Sequence, residues 1–247
     1  MAPDQPLPKR VSERVTDGAQ EVAEQVVEKV REVKEEVKPK LRGWLHAATT
    51  PLALAAGIVL IVLSPTVATR VGSALFAGTA LLLFTVSAIY HRGDGRWSPR
   101  AHGFLQRFDH SNIFLLIAGS YTPFALTLLE GAARITILAI VWAGAVAGVL
   151  VKNFWRTAPR WVNAPVYLAL GWVAIFYAGD LASGGPAVTT LIAVGGGLYT
   201  LGGLVYALKR PDPFPTWFGF HEVFHTFTIL AFVCHYVAAS IATYSLR

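Results

Sequence analysis

The sequence predicts an all-α, polytopic membrane protein with seven transmembrane helices, and three observations carry that expectation. Stretches free of Asp, Glu, Lys and Arg cover 43–69, 71–91, 110–129, 135–151, 161–179, 181–208 and 223–246. A helix needs about 17–25 mostly apolar residues to cross the hydrocarbon layer. The chain is 54% hydrophobic with a mean hydropathy of +0.49, more apolar than soluble domains usually are. The remaining charges fall between the runs and are unevenly divided among alternating connections, the pattern expected of loops on opposite sides of a membrane.

In chain order, residues 1–43 come first as a separate tail with nine basic and nine acidic side chains. Val15, Val22, Val26, Val30, Val33 and Val37 recur at steps of three, four or seven, one helical stripe beside many Glu and Lys pairs. An amphipathic or partly disordered helix is expected, lying on the membrane or self-associating with a second copy, because β-branched valine is a mediocre helix former. The tail lacks the basic start, apolar core and cleavage site of a signal peptide.

The membrane domain, 44–247, then alternates spans with charged connections. Arg70 divides the first two spans, and Arg92, Arg96, Arg100 and Arg107 separate the second from the third. Glu130 and Arg134 follow the third, Lys152, Arg156 and Arg160 the fourth, Asp180 the fifth, and Lys209 and Arg210 the sixth. Counted by side, the tail and its same-side loops hold eighteen Lys and Arg against Arg70, Arg134 and Arg247 on the other. The N-terminus is therefore expected in the cytoplasm and the C-terminus outside. The +6 net charge reads as this sidedness, with membrane lipids and no nucleic acid as partners. Cys234 is the single cysteine, which excludes a disulfide framework.

The chemistry concentrates at His221-Glu222-Val223-Phe224-His225, where two imidazoles four residues apart share a helical face and can close on one metal ion. The expected topology brings His91, at the end of span two, and Asp109, at the start of span three, to the same cytoplasmic depth. Each has a plainer reading. His91 can be an interfacial histidine interacting with its helix dipole, Asp109 a cap on span three, and Ser87, one turn before His91, a serine bonded to its own preceding carbonyl. His221 and His225 are harder to dismiss, since two polar rings inside an apolar helix demand partners. His110 adjoins Asp109 but points about 100° away around the helix. His235, deep in span seven, reads as a hydrogen-bonded packing residue, and His46 and His102 as interfacial or loop-borne.

Four segments, taken together, resemble the haemolysin III group of bacterial membrane proteins, relatives of the progestin and adipoQ receptors and more distantly of alkaline ceramidases. They are Ser87-Ala88-Ile89-Tyr90-His91, Phe108-Asp109-His110-Ser111, Ala118-Gly119-Ser120-Tyr121-Thr122-Pro123-Phe124 and the His221–His225 motif, and the resemblance covers roughly 44–247. It implies a seven-helix fold in the bacterial plasma (inner) membrane with Zn2+ held by His91, His221 and His225 near the cytoplasmic face. Asp109 is then expected to touch the zinc-bound water, with Ser87 beside it. The long charged tail departs from the group, whose members are expected to begin close to span one.

Three protein ligands with one open position are the arrangement of a catalytic zinc, which activates water and polarises carbonyl oxygens. The expected function is a metal-dependent hydrolase acting on a lipid amide or ester that enters between helices, with Asp109 taking the proton from water. One alternative is a receptor-like or signalling protein in which a structural zinc ties spans two and seven together. Another is an intramembrane zinc protease, because His-Glu-x-x-His is also that motif, with Glu222 as base; against it, His91 precedes the motif where such proteases take a later Asp. No Asp, Glu, Lys or Arg falls mid-span as a transport relay, and span seven has no lysine for a retinal Schiff base.

Overall fold

The computed structural model describes residues 39–154 and 160–246, together with Gln20, 22–26 and Lys29 of the tail. Those few tail residues are helical and exposed. The rest of the expected amphipathic helix, Arg156 and Arg247 lie outside the described residues.

The helices are α1 (Trp44–Leu63), α2 (Val67–Arg92), α3 (Pro99–Leu128), α4 (Gly131–Phe154), α5 (Arg160–Gly171), α6 (Gly185–Leu208) and α7 (Phe220–Tyr244). Between α5 and α6 the backbone stays helical through a 3-10 segment, Trp172–Tyr177, a single α-turn, Ala178–Leu181, and a second 3-10 turn, Ala182–Gly184. Among the described residues there is no strand; one isolated bridge, Phe214 to Phe218, tightens the loop before α7.

Helix boundaries follow from local chemistry. Thr66 and Thr69 exchange side-chain and backbone bonds at 3.1 and 3.2 Å, a capping box that starts α2. Ser98 accepts the Ala101 amide at 3.3 Å, and Pro99 follows at the first helical position, where its missing N–H costs nothing. The loop entering α7 is closed by Glu222 and Asp212, which accept the Gly219 and Phe220 amides at 2.9 and 2.8 Å.

By length and composition, six helical stretches among the described residues can cross a membrane: α1, α2, α3, α4, Pro165–Leu208 and α7. The sequence run 181–208 and most of the run 161–179 thus share one helical stretch of 44 residues, because Asp180 sits in a short α-turn that does not interrupt helical backbone. That stretch folds back on itself at Gly185, whose φ of 85° is left-handed territory. Leu168 packs on Gly203 and the Trp172 indole N–H donates to Thr200 Oγ1 at 3.2 Å, pairs of residues placed symmetrically about the turn.

Between membrane helices hydrophobic drive is weak, and association relies on close van der Waals approach at small residues. A Cβ on Gly119 would stand 2.0 Å from Thr79 Oγ1, and one on Gly57 would stand 2.7 Å from Ala77, so α3 and α1 meet α2 almost backbone to backbone. Phe76, Phe84 and Phe232 interlock with centroids 5.3–5.4 Å apart and join α2 to α7. The outer faces carry exposed Leu52, Ile135, Val146 and Leu201, as lipid-facing surfaces require.

Candidate metal centre

Residues from four helices converge at one end of the bundle. The last turns of α2 supply Ser87 and His91, one helical turn apart on the same face. The first two turns of α7 supply His221 and His225 in the same register. His91 Nε2 faces His221 Nε2 at 3.1 Å, and one ligand atom from each of His91, His221 and His225 lies within 4.8 Å of the others. These three histidines are close enough to hold a metal ion. Zn–N bonds of 2.0–2.1 Å in a tetrahedron separate ligand nitrogens by about 3.3 Å, so small ring rotations suffice. His91 and His225 are buried and His221 half-buried.

Asp109 reaches the group from α3, its Oδ2 standing 3.6 Å from His91 Nε2. The cap reading does not hold, because α3 begins at Pro99 and its cap is Ser98. The helix simply continues outward beyond the apolar run, leaving Asp109 buried in the helix interior with its carboxylate beside imidazoles. Ser87, 1% exposed, does not bond its preceding carbonyl either. Its Oγ makes no hydrogen bond of ordinary geometry among the described residues, and it stands beside the Asp109 carboxyl, close enough to interact with it.

His46 overturns its interfacial reading. It lies in the first turn of α1, 2% exposed, stacked face to face on His225 with centroids 3.8 Å apart and planes 10° from parallel. Phe84 meets it edge-on at 5.1 Å. Neither of its ring nitrogens has a hydrogen-bond partner among the described residues. The lone pairs of two stacked rings lie in separate, nearly parallel planes and do not converge on one ion, so His46 supports His225 rather than joining it as a ligand. The signal was available: the opening of span one falls at the same depth as the other histidines. His102 is half-exposed beside Tyr90 and Asp94, in keeping with an interfacial place.

Glu222 is 1% exposed, and both of its oxygens are engaged: Arg42 Nε donates to Oε1 at 2.5 Å and the Gly219 amide to Oε2 at 2.9 Å. Arg42 belongs to a strap, 39–43, that crosses the head of α7. The Lys40 and Leu41 amides donate to the Thr216 and Trp217 carbonyls at 3.0 and 3.1 Å, and Lys40 Nζ lies over the Trp217 ring. Gly43, at φ 80°, touches α2 where any Cβ would stand 2.8 Å from that of His91.

Beneath the histidines opens a cavity of about 350 Å³. His46, Ser87, Asp109, His221 and His225 line its head, and it runs between α3, α5, α6 and α7 to Leu181 and Thr189 near the opposite end of the bundle. Its walls are largely aliphatic and aromatic side chains. An elongated apolar molecule with one reactive polar end is the shape that this arrangement accommodates.

A sequence model of a family described as haemolysin-III related matches residues 34–236. The Hemolysin-3 homolog of Bacillus subtilis (strain 168) is 35% identical over 156 residues, 63% of this chain and 69% of that protein. Hemolysin-3 of Bacillus cereus is 30% identical over 191 residues, 74% of this chain and 82% of that protein.

Proposed function

The chain belongs to the haemolysin-III related family, and from that premise we propose that it is an integral membrane hydrolase of lipid amides or esters, using zinc held by His91, His221 and His225. The observation that carries this reading is the convergence of three imidazoles and a buried carboxylate at the head of an apolar cavity. The donor set fits zinc, which favours imidazole nitrogen and takes three protein ligands where it is catalytic. When bound there, zinc acidifies water and polarises a carbonyl oxygen.

The chain's own residues do the rest. Asp109, held within reach of His91, accepts a proton from water and returns it to the leaving group. Ser87, beside Asp109, orients that carboxylate. The cavity takes the acyl chain of a membrane lipid and keeps bulk water from the polar end.

Seven crossings with a cytoplasmic N-terminus belong to the same reading, which places the site near the cytoplasmic face of a bacterial plasma membrane. The end of α2 and the start of α7 meet at His91 and His221, so the chain between them crosses an even number of times. α3, α4, the α5 arm and α6 make four. The basic residues of the tail and same-side loops supply the orientation.

A receptor-like role with a structural zinc is the second reading, favoured by ligands that come only from α2 and α7 and so tie those helices together. The protease reading loses its base, since Arg42 and the Gly219 amide already occupy Glu222. Elemental analysis of purified protein combined with a lipid amide and ester hydrolysis screen tests the proposal. Zinc with turnover supports the hydrolase, zinc without turnover moves the reading to the structural role, and absence of zinc affinity sinks both.

A further inference from the structure

Ten residues beyond His225 on α7, His235 lies about 15 Å farther along the helix axis, buried and lining the same cavity. It is tightly fitted. A Cβ on Gly195 would stand 2.3 Å from its Cδ2, so the glycine is what lets α6 approach this ring. Tyr199 and Phe124 meet it edge-on at 5.4 and 6.1 Å.

Its hydrogen bonding is half complete. Nε2 faces the Ile192 carbonyl at 3.4 Å, and a carbonyl oxygen can only accept, so the proton sits on Nε2 and Nδ1 is left as an acceptor. Nδ1 is buried without a partner among the described residues, and so is the Tyr199 hydroxyl. The other hydroxyls of this part of the wall are satisfied. Ser120, Thr189, Thr200 and Thr228 bond carbonyls of their own helices, and the Tyr121 hydroxyl accepts the Ala174 amide at 2.8 Å. Unmet capacity on this part of the wall is thus concentrated at one acceptor and one neighbouring hydroxyl, and a buried polar group without a partner costs free energy.

We propose that His235 and Tyr199 form a second polar subsite, which binds a hydroxyl carried partway along the apolar body of the lipid whose polar end sits at the histidine site. A lipid O–H donates to His235 Nδ1 while its oxygen accepts from the Tyr199 O–H; a plain methylene leaves both unpaired. The substrate class is therefore a hydroxylated acyl lipid rather than a simple one. This rests on the lipid-hydrolase reading of the cavity.

The test is equilibrium displacement of a fluorescent fatty acid from zinc-loaded, full-length protein. The two competitors are octadecanoic acid and the same acid hydroxylated two-thirds of the way along its chain. The hydroxylated acid is expected to bind about tenfold more tightly, the scale of one or two net hydrogen bonds. His235→Phe and Tyr199→Phe should each reduce that ratio toward one while leaving zinc content and octadecanoic acid binding unchanged. Tyr199→Phe removes one oxygen and keeps the ring, so it decides the matter should His235→Phe fail to fold. Equal binding of the two acids by wild type, or a ratio that survives both substitutions, overturns the subsite alone. If neither acid displaces the probe from zinc-loaded protein, the lipid-hydrolase reading falls and the subsite with it.

Discussion

Two imidazole nitrogens facing each other at 3.1 Å, His91 Nε2 and His221 Nε2, cannot both offer lone pairs without a proton or a cation between them. Under the zinc reading, about one zinc per chain is expected from elemental analysis. His91→Ala or His225→Ala should weaken binding by more than the roughly 10–100-fold that losing an outer hydrogen-bond partner costs. Wild-type affinity in the His91→Ala protein would remove the three-histidine model. His46 has a separable role. His46→Phe keeps the ring stacked on His225 and is expected to retain zinc, whereas His46→Ala frees the His225 ring and should lower affinity; equal affinities in the two proteins would mean that the stack orients nothing. Proton transfer is tested at Asp109 and Glu222. Asp109→Asn should keep zinc and lose hydrolysis by about 10²–10⁴-fold, while Glu222→Gln, whose oxygens serve Arg42 and a backbone amide, changes the rate far less. The reverse ranking, read on one lipid substrate, would restore the protease mechanism. The candidate ligands were legible because residues four apart on a helix share a face. The stacked place of His46 was not, since nothing in one span states which ring of another it meets.

At the level of elements, the strap 39–43 and the head of α7 form one unit, fastened by two backbone bonds and the ion pair of Arg42 with buried Glu222. Arg42→Ala leaves that carboxylate short of a charged partner and is expected to cost about 1.5–3 kcal/mol, read as a lower unfolding temperature in detergent. An unchanged transition would show that the strap does not hold α7. The α2–α3 seam makes a sharper case. Gly119→Ala puts a methyl 2.0 Å from Thr79 Oγ1, an overpacking expected to cost about 1–3 kcal/mol. Thr79→Ala should rescue it in part, because the Thr79 Cβ itself stands 3.0 Å from the added methyl. The sequence located the helices through charge spacing, yet two boundaries escaped it. α3 begins at Pro99, well before its apolar run, because an amphipathic helix continues past the hydrocarbon edge wherever capping allows. Asp180 marked a break between two spans, but one charged residue in a helical turn leaves the backbone bonds intact, and the reversal comes at Gly185 instead.

For the whole molecule, the membrane face that the histidines occupy is set by crossing number and orientation together, and the two are linked through the chain's two ends. Six helical stretches among the described residues satisfy length and composition when Pro165–Leu208 counts once; under the proposed reading its fold at Gly185 is a reversal, which would give seven crossings and put the two ends on opposite sides. Basic side chains gather in the tail and in the loops on its side, so those segments are expected to face the cytoplasm. Exposed Arg96 lies in the connection between α2 and α3, beside the histidine end, and exposed Leu246 follows α7 at the other end. In a Cys234→Ala background, which removes the single native thiol, Arg96→Cys should resist a membrane-impermeant thiol reagent in intact cells and react once the membrane is opened. Leu246→Cys should react without opening. Six crossings would instead shield both cysteines, since the C-terminus then returns to the side of the tail. Labelling of Arg96→Cys alone in intact cells would invert the orientation and carry the histidine site to the outer face.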